Sequence, residues 1–290
     1  MQEEDKKEVS QQRKQKKLFS TKSPQISLAV LFTGLILMIA ATISAPLIVV
    51  VYAANIQGTP GDDTLNGTPK ADTIDGFDGN DKLFGKAGND LLDGGNGDDE
   101  VYGGPGNDEI KDNGVQFSLY NKVYGGSGND NIDVGDDANT NNYYIYGEAG
   151  DDFIKVLANT DISGGAGADT IYCTGFECTI RGDAGHDEIH VNSPNQFSVQ
   201  GGSGNDEVFG IGYWVSGGDG NDYLSMDLAL ELQGGEGDDV LEVLEPSLET
   251  YYNGGPGADT FNCSPGPGDI VQDYNPAEGD VISADCETIE

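Results

Sequence analysis

The chain has 290 residues, with 51 Asp and Glu against 14 Lys and Arg, and its net charge is −37. A chain this acidic lacks the basic patch that a phosphate backbone requires, so nucleic-acid binding is excluded. Seven of the 14 basic residues but only four of the 51 acidic residues lie within the first 25 positions, so all of the excess negative charge falls on the rest of the chain. Such a polyanion repels its own compaction, and we expect it to be disordered without counter-ions.

The N-terminus consists of a basic tail, residues 1–25, followed by an apolar segment, residues 26–54. Ile26–Ala54 contains no charged side chain and exceeds the ~20 apolar residues that cross a bilayer. The basic flank is expected to stay cytoplasmic, which places the following residues outside the membrane. The small residues at Val51-Tyr52-Ala53 suit cleavage of a secretory signal peptide, whereas the length of the segment suits a retained transmembrane helix. Both alternatives remain open.

A nine-residue block of the form Gly-Gly-x-Gly-x-Asp-x-apolar-x occurs fourteen times between Gly58 and Asn262. The first six copies follow one another directly, and the eight from Gly125 onward recur every 16 to 22 residues. A short fixed period predicts a solenoid. Glycine allows the positive φ of a tight turn, and the apolar eighth position marks one inward residue on a short strand. The sixth position is always Asp, whereas the fifth varies among Asp, Ala, Asn and His and is not expected to be a ligand.

These blocks resemble the RTX, or hemolysin-type, calcium-binding nonapeptide repeats. The resemblance implies an all-β fold, a right-handed parallel β-roll in which two blocks form one coil. It also implies Ca²⁺ between equivalent turns of successive coils, held by sixth-position carboxylates and main-chain carbonyls, which are the hard oxygen ligands that Ca²⁺ prefers. The metal ligands implied in this way are Asp63, Asp72, Asp81, Asp90, Asp99, Asp108, Asp130, Asp152, Asp169, Asp187, Asp206, Asp222, Asp239 and Asp259.

The change of period divides the repeats into residues 55–111, with calcium turns on both sides of the coil, and residues 112–262, with turns on one side. An apolar residue two positions before each later turn keeps the second strand. Irregular loops such as Gly135–Asn142 and Asn192–Gln196 replace the second turn. One row of eleven turns and one of three leave gaps for an upper estimate of about twelve Ca²⁺. Lys70, at a glycine position, is expected to weaken or empty the site beside it.

Four cysteines fit an oxidising exterior. We favour the pairs Cys173–Cys178 and Cys263–Cys286, although the sequence alone does not exclude the other two connectivities. Residues 263–290 resemble the strands that close RTX repeats, and we expect them to be a C-terminal cap over the open end of the solenoid.

Nothing in the chain matches the motif of a serine hydrolase or a zinc protease. The run His186–His190 has its glutamate at the wrong place for a zinc signature and is expected on a strand instead of a helix. We therefore predict a non-enzymatic, exported, calcium-binding β-roll that folds on Ca²⁺ and serves as a cell-surface or secreted structural or adhesive module. The alternative is an extracellular hydrolase or lyase with a site on the irregular face.

The expected partners are calcium ions, the membrane through residues 26–54 if that segment is uncleaved, and a surface glycan or protein ligand. Trp214 and Tyr143–Tyr146 are the candidate aromatic residues for such a ligand, although aromatics of this kind more often pack on a flat face.

Overall fold

The computed structural model describes residues 52–112, 120–135, 142–157, 159–175, 177–192, 198–245, 249–265, 268–286 and 288–289. By its internal contacts the chain divides into Met1–Val50 and Val51–Glu290, and all described residues belong to the second unit. They form strands and no helix, so none of them provides a helix that could span a membrane. The basic tail, most of the apolar segment and most of the two irregular loops lie outside the described residues.

Every regular element is a short β-strand of two to eight residues, as expected where each nonapeptide contributes one strand and one turn. In chain order the strands are β1 (Asn55–Gln57), β2 (Thr64–Asn66), β3 (Thr73–Asp75), β4 (Lys82–Phe84), β5 (Leu91–Asp93), β6 (Glu100–Pro105), β7 (Glu109–Asp112), β8 (Asn121–Ser127), β9 (Asn131–Val134), β10 (Asn142–Ala149), β11 (Phe153–Val156), β12 (Asn159–Ala166), β13 (Thr170–Cys173), β14 (Cys178–Ala184), β15 (Glu188–Val191), β16 (Ser198–Ser203), β17 (Glu207–Ile211), β18 (Trp214–Asp219), β19 (Tyr223–Leu228), β20 (Glu231–Glu236), β21 (Val240–Val243), β22 (Tyr251–Asn253), β23 (Thr260–Asn262), β24 (Ile270–Val271), β25 (Val281–Ile282) and β26 (Thr288–Ile289).

The strands form two parallel sheets of 13 strands each, and the chain passes from one sheet to the other at every turn. Sheet 1 contains the odd-numbered strands and sheet 2 the even-numbered strands, so neighbours within a sheet are one coil apart. The register places equal repeat positions side by side, as in the pairing of Ile74 with Leu92 and of Leu92 with Ile110. This is the parallel β-solenoid that the repeat pattern predicts.

The core is a double column of aliphatic and aromatic side chains between the two sheets. From Ile74 onward every eighth-position side chain is buried, and Leu65 packs against them from the end of the column. In sheet 2 the column formed by Leu83 and Val101 continues with the apolar residues that precede the later turns, from Val123 to Tyr252, and all of these are buried too. The prediction that the second strand persists after its turn is lost is therefore confirmed.

Most repeat turns place their second residue at positive φ, and glycine fills that position in most copies. A Cβ at Gly126 would collide with the carbonyl of Gly104 in the preceding coil. Four turns accept a larger residue at the same position, with φ between 74° and 80°, namely Phe77, Lys86, Glu148 and Asp183. The first two turns carry Thr-Pro after the first glycine and have no positive φ there. The aspartate carboxylates of these two turns also differ from the others in their hydrogen bonds.

The C-terminal segment continues the solenoid, because β24, β25 and β26 pair in parallel with the preceding strands of both sheets. The two favoured disulfides are confirmed. Cys173–Cys178 closes a short connection between the sheets, and Cys263–Cys286 ties the end of the repeats to the final segment.

Candidate metal centres between the coils

The sixth-position aspartates stack into two rows that run along the solenoid. In the long row each main-chain N–H donates to Oδ1 of the aspartate one coil further on, with N to Oδ1 distances of 2.7 to 2.9 Å. This row runs without a break through eleven residues from Asp72 to Asp259. The short row joins Asp63, Asp81 and Asp99 in the same way, at 2.7 Å. One carboxylate oxygen of each aspartate therefore holds the turn of its neighbour.

The second carboxylate oxygen is different, because in twelve of the fourteen aspartates Oδ2 is buried and finds no hydrogen-bond partner among the described residues. Their side chains are at most 3% exposed. A buried carboxylate without a partner is strongly unfavourable unless a cation or a proton neutralises it. The twelve are Asp81, Asp90, Asp99, Asp108, Asp130, Asp152, Asp169, Asp187, Asp206, Asp222, Asp239 and Asp259.

Each of these oxygens lies beside the first-position glycine of its own turn, and in nine of the twelve turns a glycine carbonyl of the next coil points to the same place. A Cβ added to Gly125 would lie 2.5 Å from Oδ2 of Asp130 and 2.8 Å from the carbonyl oxygen of Gly147 in the next coil. The absence of a side chain at the first repeat position is what leaves this space to oxygen atoms. No three His, Cys, Asp or Glu side chains converge within the described ranges, so carbonyls would supply most ligands of a bound ion. This donor set of hard oxygens suits Ca²⁺.

Burial raises the pKa of these carboxyl groups, and the N–H bond from the preceding aspartate only partly offsets it. The pKa is raised to about 7 for Asp99, Asp108, Asp152, Asp187 and Asp222, and to about 6 for Asp130, Asp169, Asp239 and Asp259. It is also raised for Asp81, Asp90 and Asp206. The direction shows that the site as folded attracts positive charge.

The two N-terminal turns satisfy their own carboxylates. Oδ2 of Asp63 accepts hydrogen bonds from N–H of Thr59 at 2.6 Å and from its hydroxyl at 2.8 Å. Oδ2 of Asp72 likewise accepts the N–H of Thr68. Among the fourteen implied ligands, these two therefore show the least need for a cation.

Lys86 contacts the first turn of the long row, and the sequence analysis did not anticipate this contact. The ammonium of Lys86 donates to the carbonyl oxygen of Gly67 at 2.6 Å. Lys86 itself lies in the next turn of the long row, with its backbone at positive φ. Sequence position alone does not show this contact across coils.

The rows extend beyond the repeats into the C-terminal segment, which the sequence analysis did not recognise. N–H of Asp259 donates to Oδ1 of Asp280 at 3.0 Å, and N–H of Thr250 donates to Oδ1 of Asp269 at 3.2 Å. Oδ2 of Asp269 accepts bonds from the N–H and hydroxyl of Ser264, at 3.0 and 3.1 Å. The spacing of five residues between Ser264 and Asp269, equal to that between repeat positions one and six, is a signal that could have revealed this turn.

The fifth repeat position has a structural role that the sequence analysis missed. Its Asn or Asp side chain accepts the main-chain N–H of the fifth residue in the next coil, as in Asn129 N–H to Asn107 Oδ1 at 3.1 Å. His186 takes the same place, since its Nδ1 accepts the N–H of Asn205 at 2.9 Å. The frequent occurrence of Asn and Asp at the fifth position could have indicated this role from the sequence. These exposed hydrogen bonds join neighbouring turns on the outside of the solenoid, next to the buried aspartates.

The other candidate residues lie on the outer faces of the sheets. His190 is stacked between Tyr172 and Phe209, with ring centroids 4.5 and 5.1 Å away, and therefore does not converge with His186. Trp214 is 48% exposed. Within Tyr143–Tyr146, the side chain of Tyr143 is buried and its hydroxyl donates to the carbonyl of Asp112 at 2.8 Å.

A matched pair of substitutions separates satisfied from unsatisfied carboxylates in the same row. We expect Asp152→Asn to lower the free energy of unfolding in calcium by about 2–3 kcal/mol, because it removes a buried charged ligand, and Asp72→Asn by only about 1 kcal/mol. Urea unfolding of the full chain in mild detergent at saturating Ca²⁺ measures both. Equal losses would show that the Thr68 contact makes no difference.

A family model for RTX calcium-binding nonapeptide repeats matches residues 57–92, 75–110, 120–140, 144–162, 156–172, 198–210 and 214–225. No curated protein matches the chain. The matched segments cover turns of both rows and the strands that follow them. Together with the two parallel sheets and the stacked aspartates, they identify the chain as an RTX-type β-roll repeat protein.

Proposed function

We propose that this protein is an exported calcium-binding module whose β-roll orders when Ca²⁺ enters the gaps between its coils. The observation that carries the proposal is the set of twelve buried Oδ2 atoms without a described partner, nine of which share their place with a glycine carbonyl of the next coil. Since folding creates these sites, the free energy of ion binding becomes free energy of folding.

Export follows from the N-terminal sequence. A basic tail precedes an uncharged stretch of sufficient length for a bilayer, an arrangement that directs the following residues outside the cytoplasm. Calcium is abundant there, so the chain would fold after crossing. Two disulfides support an oxidising compartment. Cleavage of residues 26–54 would give a secreted protein and retention a membrane-anchored one.

A structural or adhesive role is favoured over catalysis. Lys155 pairs with Asp133 at 3.0 Å, His190 with Glu188 at 2.7 Å, and His186 supports a turn. Within the described part of the chain these groups are on separate coils or separate faces, which does not suit the hydrolase or lyase alternative. Stacked aromatic rings on the outer faces, such as Tyr102 on Tyr124 with centroids 4.7 Å apart, offer a flat surface for a glycan or protein ligand.

Fractionation of cells that express the full chain with a C-terminal epitope tag tests this proposal. We expect the tag outside the cytoplasm, resistant to added protease in Ca²⁺ and rapidly digested after chelation. The control variant carries Leu35→Arg and Leu37→Arg, each of which costs about 2.5–3.5 kcal/mol at the centre of a membrane helix and should block export. A wild-type protein found only in the cytoplasm would contradict the proposal.

A further inference from the structure

The short row of turns ends in an unusual way, at Asp112. In sheet 1, Asp75 pairs with Asp93 and Asp93 pairs with Lys111. The residues that follow these three, Gly76, Gly94 and Asp112, therefore occupy equivalent positions in successive coils. One coil further the same register is apolar, because Asp112 pairs with Val134. The residues that follow there are Val156, Cys173 and Val191. Asp112 thus stands between a row of glycine turns and a column of core residues.

The carboxylate of Asp112 occupies the place where most other gaps have a glycine carbonyl. A Cβ added to Gly94 would lie 3.2 Å from Cγ of Asp112 and 3.0 Å from Oδ2 of Asp99. At Gly125 the corresponding neighbours are a carboxylate and a main-chain carbonyl. The gap beyond Gly94 therefore holds two acidic side chains in place of one.

Both side chains are fully buried, with 0% exposure for Asp99 and for Asp112. Oδ2 of Asp99 has no hydrogen-bond partner among the described residues, although the N–H of Asp99 is held by Oδ1 of Asn121 at 2.7 Å. The basic residue next in sequence, Lys111, points to the outer face and pairs with Glu109 at 2.5 Å. The buried carboxylate of Asp112 adds a second acidic side chain beside the Oδ2 of Asp99 that has no described partner, and this favours a cation in the gap.

We propose that Asp99 and Asp112 bind a further Ca²⁺ at the end of the short row, where the nonapeptide pattern has stopped. The inference rests on the proposed function, since it assumes that the repeats bind calcium. Asp112 lies outside the segments that match the repeat family, so the pattern does not assign it as a ligand. Because a larger number of charged ligands strengthens Ca²⁺ binding, this site is among the tighter sites of the protein. The bound Ca²⁺ neutralises the negative charge of Asp99 and Asp112, at the point where the coil changes from two calcium turns to one.

The test compares the calcium stoichiometry of the full chain, purified in mild detergent, by equilibrium dialysis and native mass spectrometry. Asp112→Val installs the residue of the following coil, and we expect it to bind one ion fewer than wild type. Asp99→Asn should lose the same ion, so the double variant should also bind one ion fewer, and not two. The control Asp133→Asn changes a half-exposed acid on the outer face one coil away, which pairs with Lys155, and should bind the wild-type number.

An unchanged stoichiometry in Asp112→Val would overturn the inference while leaving calcium binding by the repeats intact. A wild-type protein that binds no calcium would instead reject the proposed function itself. If Asp112→Val does not fold, anomalous diffraction from wild-type crystals grown in Ca²⁺ decides. A peak between Asp99 and Asp112 supports the site, and peaks in the regular gaps without one here overturn it.

Discussion

Chelation of calcium at pH 7.5 is expected to abolish the β-sheet circular dichroism of the full chain, and millimolar Ca²⁺ is expected to restore it. Without the ion, each ordered coil would bury an ionised carboxylate that has no described partner, at a cost of several kcal/mol in each gap. The net charge of −37 adds repulsion between the coils. We do not expect the burial of apolar side chains in the two core columns to offset the cost of these twelve buried carboxylates.

The transition should be cooperative, because each ion joins two coils and each coil contacts only its neighbours. Circular dichroism and small-angle X-ray scattering across a calcium titration measure it. We expect the scattering to change from an expanded chain to a compact form at the same calcium concentration as the spectrum. Magnesium is the control ion, since it requires a near-octahedral site and retains its waters, and it should not restore the fold. A β-sheet spectrum that persists in chelator would contradict the prediction.

The repeat register could be read from the sequence with accuracy. Invariant Asp and apolar positions determined which side chains stack and which are buried, so the columns through Ile74 and through Val123 follow directly from spacing. The pairing of Cys173 with Cys178 was also accessible, because both fall where one turn had been lost. These features depend on residues close together in the chain or on a strict period.

The properties of individual gaps could not be read in this way. Whether Oδ2 of an aspartate is satisfied depends on the local turn conformation, and a Thr-Pro pair after the first glycine satisfies it at Thr59 and Thr68. Contacts across a coil, such as that of Lys86 with Gly67, join residues 19 apart that the pattern treats as independent. Asp112 was overlooked because an acid outside the repeat carries no signal until the register shows which glycine it faces.

Acidification is expected to have opposite effects with and without calcium. In chelator, lowering the pH from 8 to 5 should restore part of the β-sheet spectrum. Burial raises the pKa of Asp99, Asp152 and Asp187 in the folded, metal-free form to about 7, against about 3.9 in an unfolded chain. Between these values the folded form binds more protons, so its free energy of unfolding falls as the pH rises and is lost above about pH 7.

With calcium present the proton becomes a competitor. A carboxyl group that is protonated is a poorer ligand, so the calcium concentration at the folding midpoint should rise as the pH falls from 8 to 5. Calcium titrations followed by circular dichroism at four pH values in this range measure the shift, and all of them stay above the isoelectric point near 4.1, where the chain would precipitate. A midpoint that is independent of pH would show that the buried aspartates are not the groups that bind the ion. A spectrum in chelator that weakens on acidification would show that protons cannot replace calcium in the gaps, because a protonated Oδ2 would then fail to donate to the carbonyl that faces it.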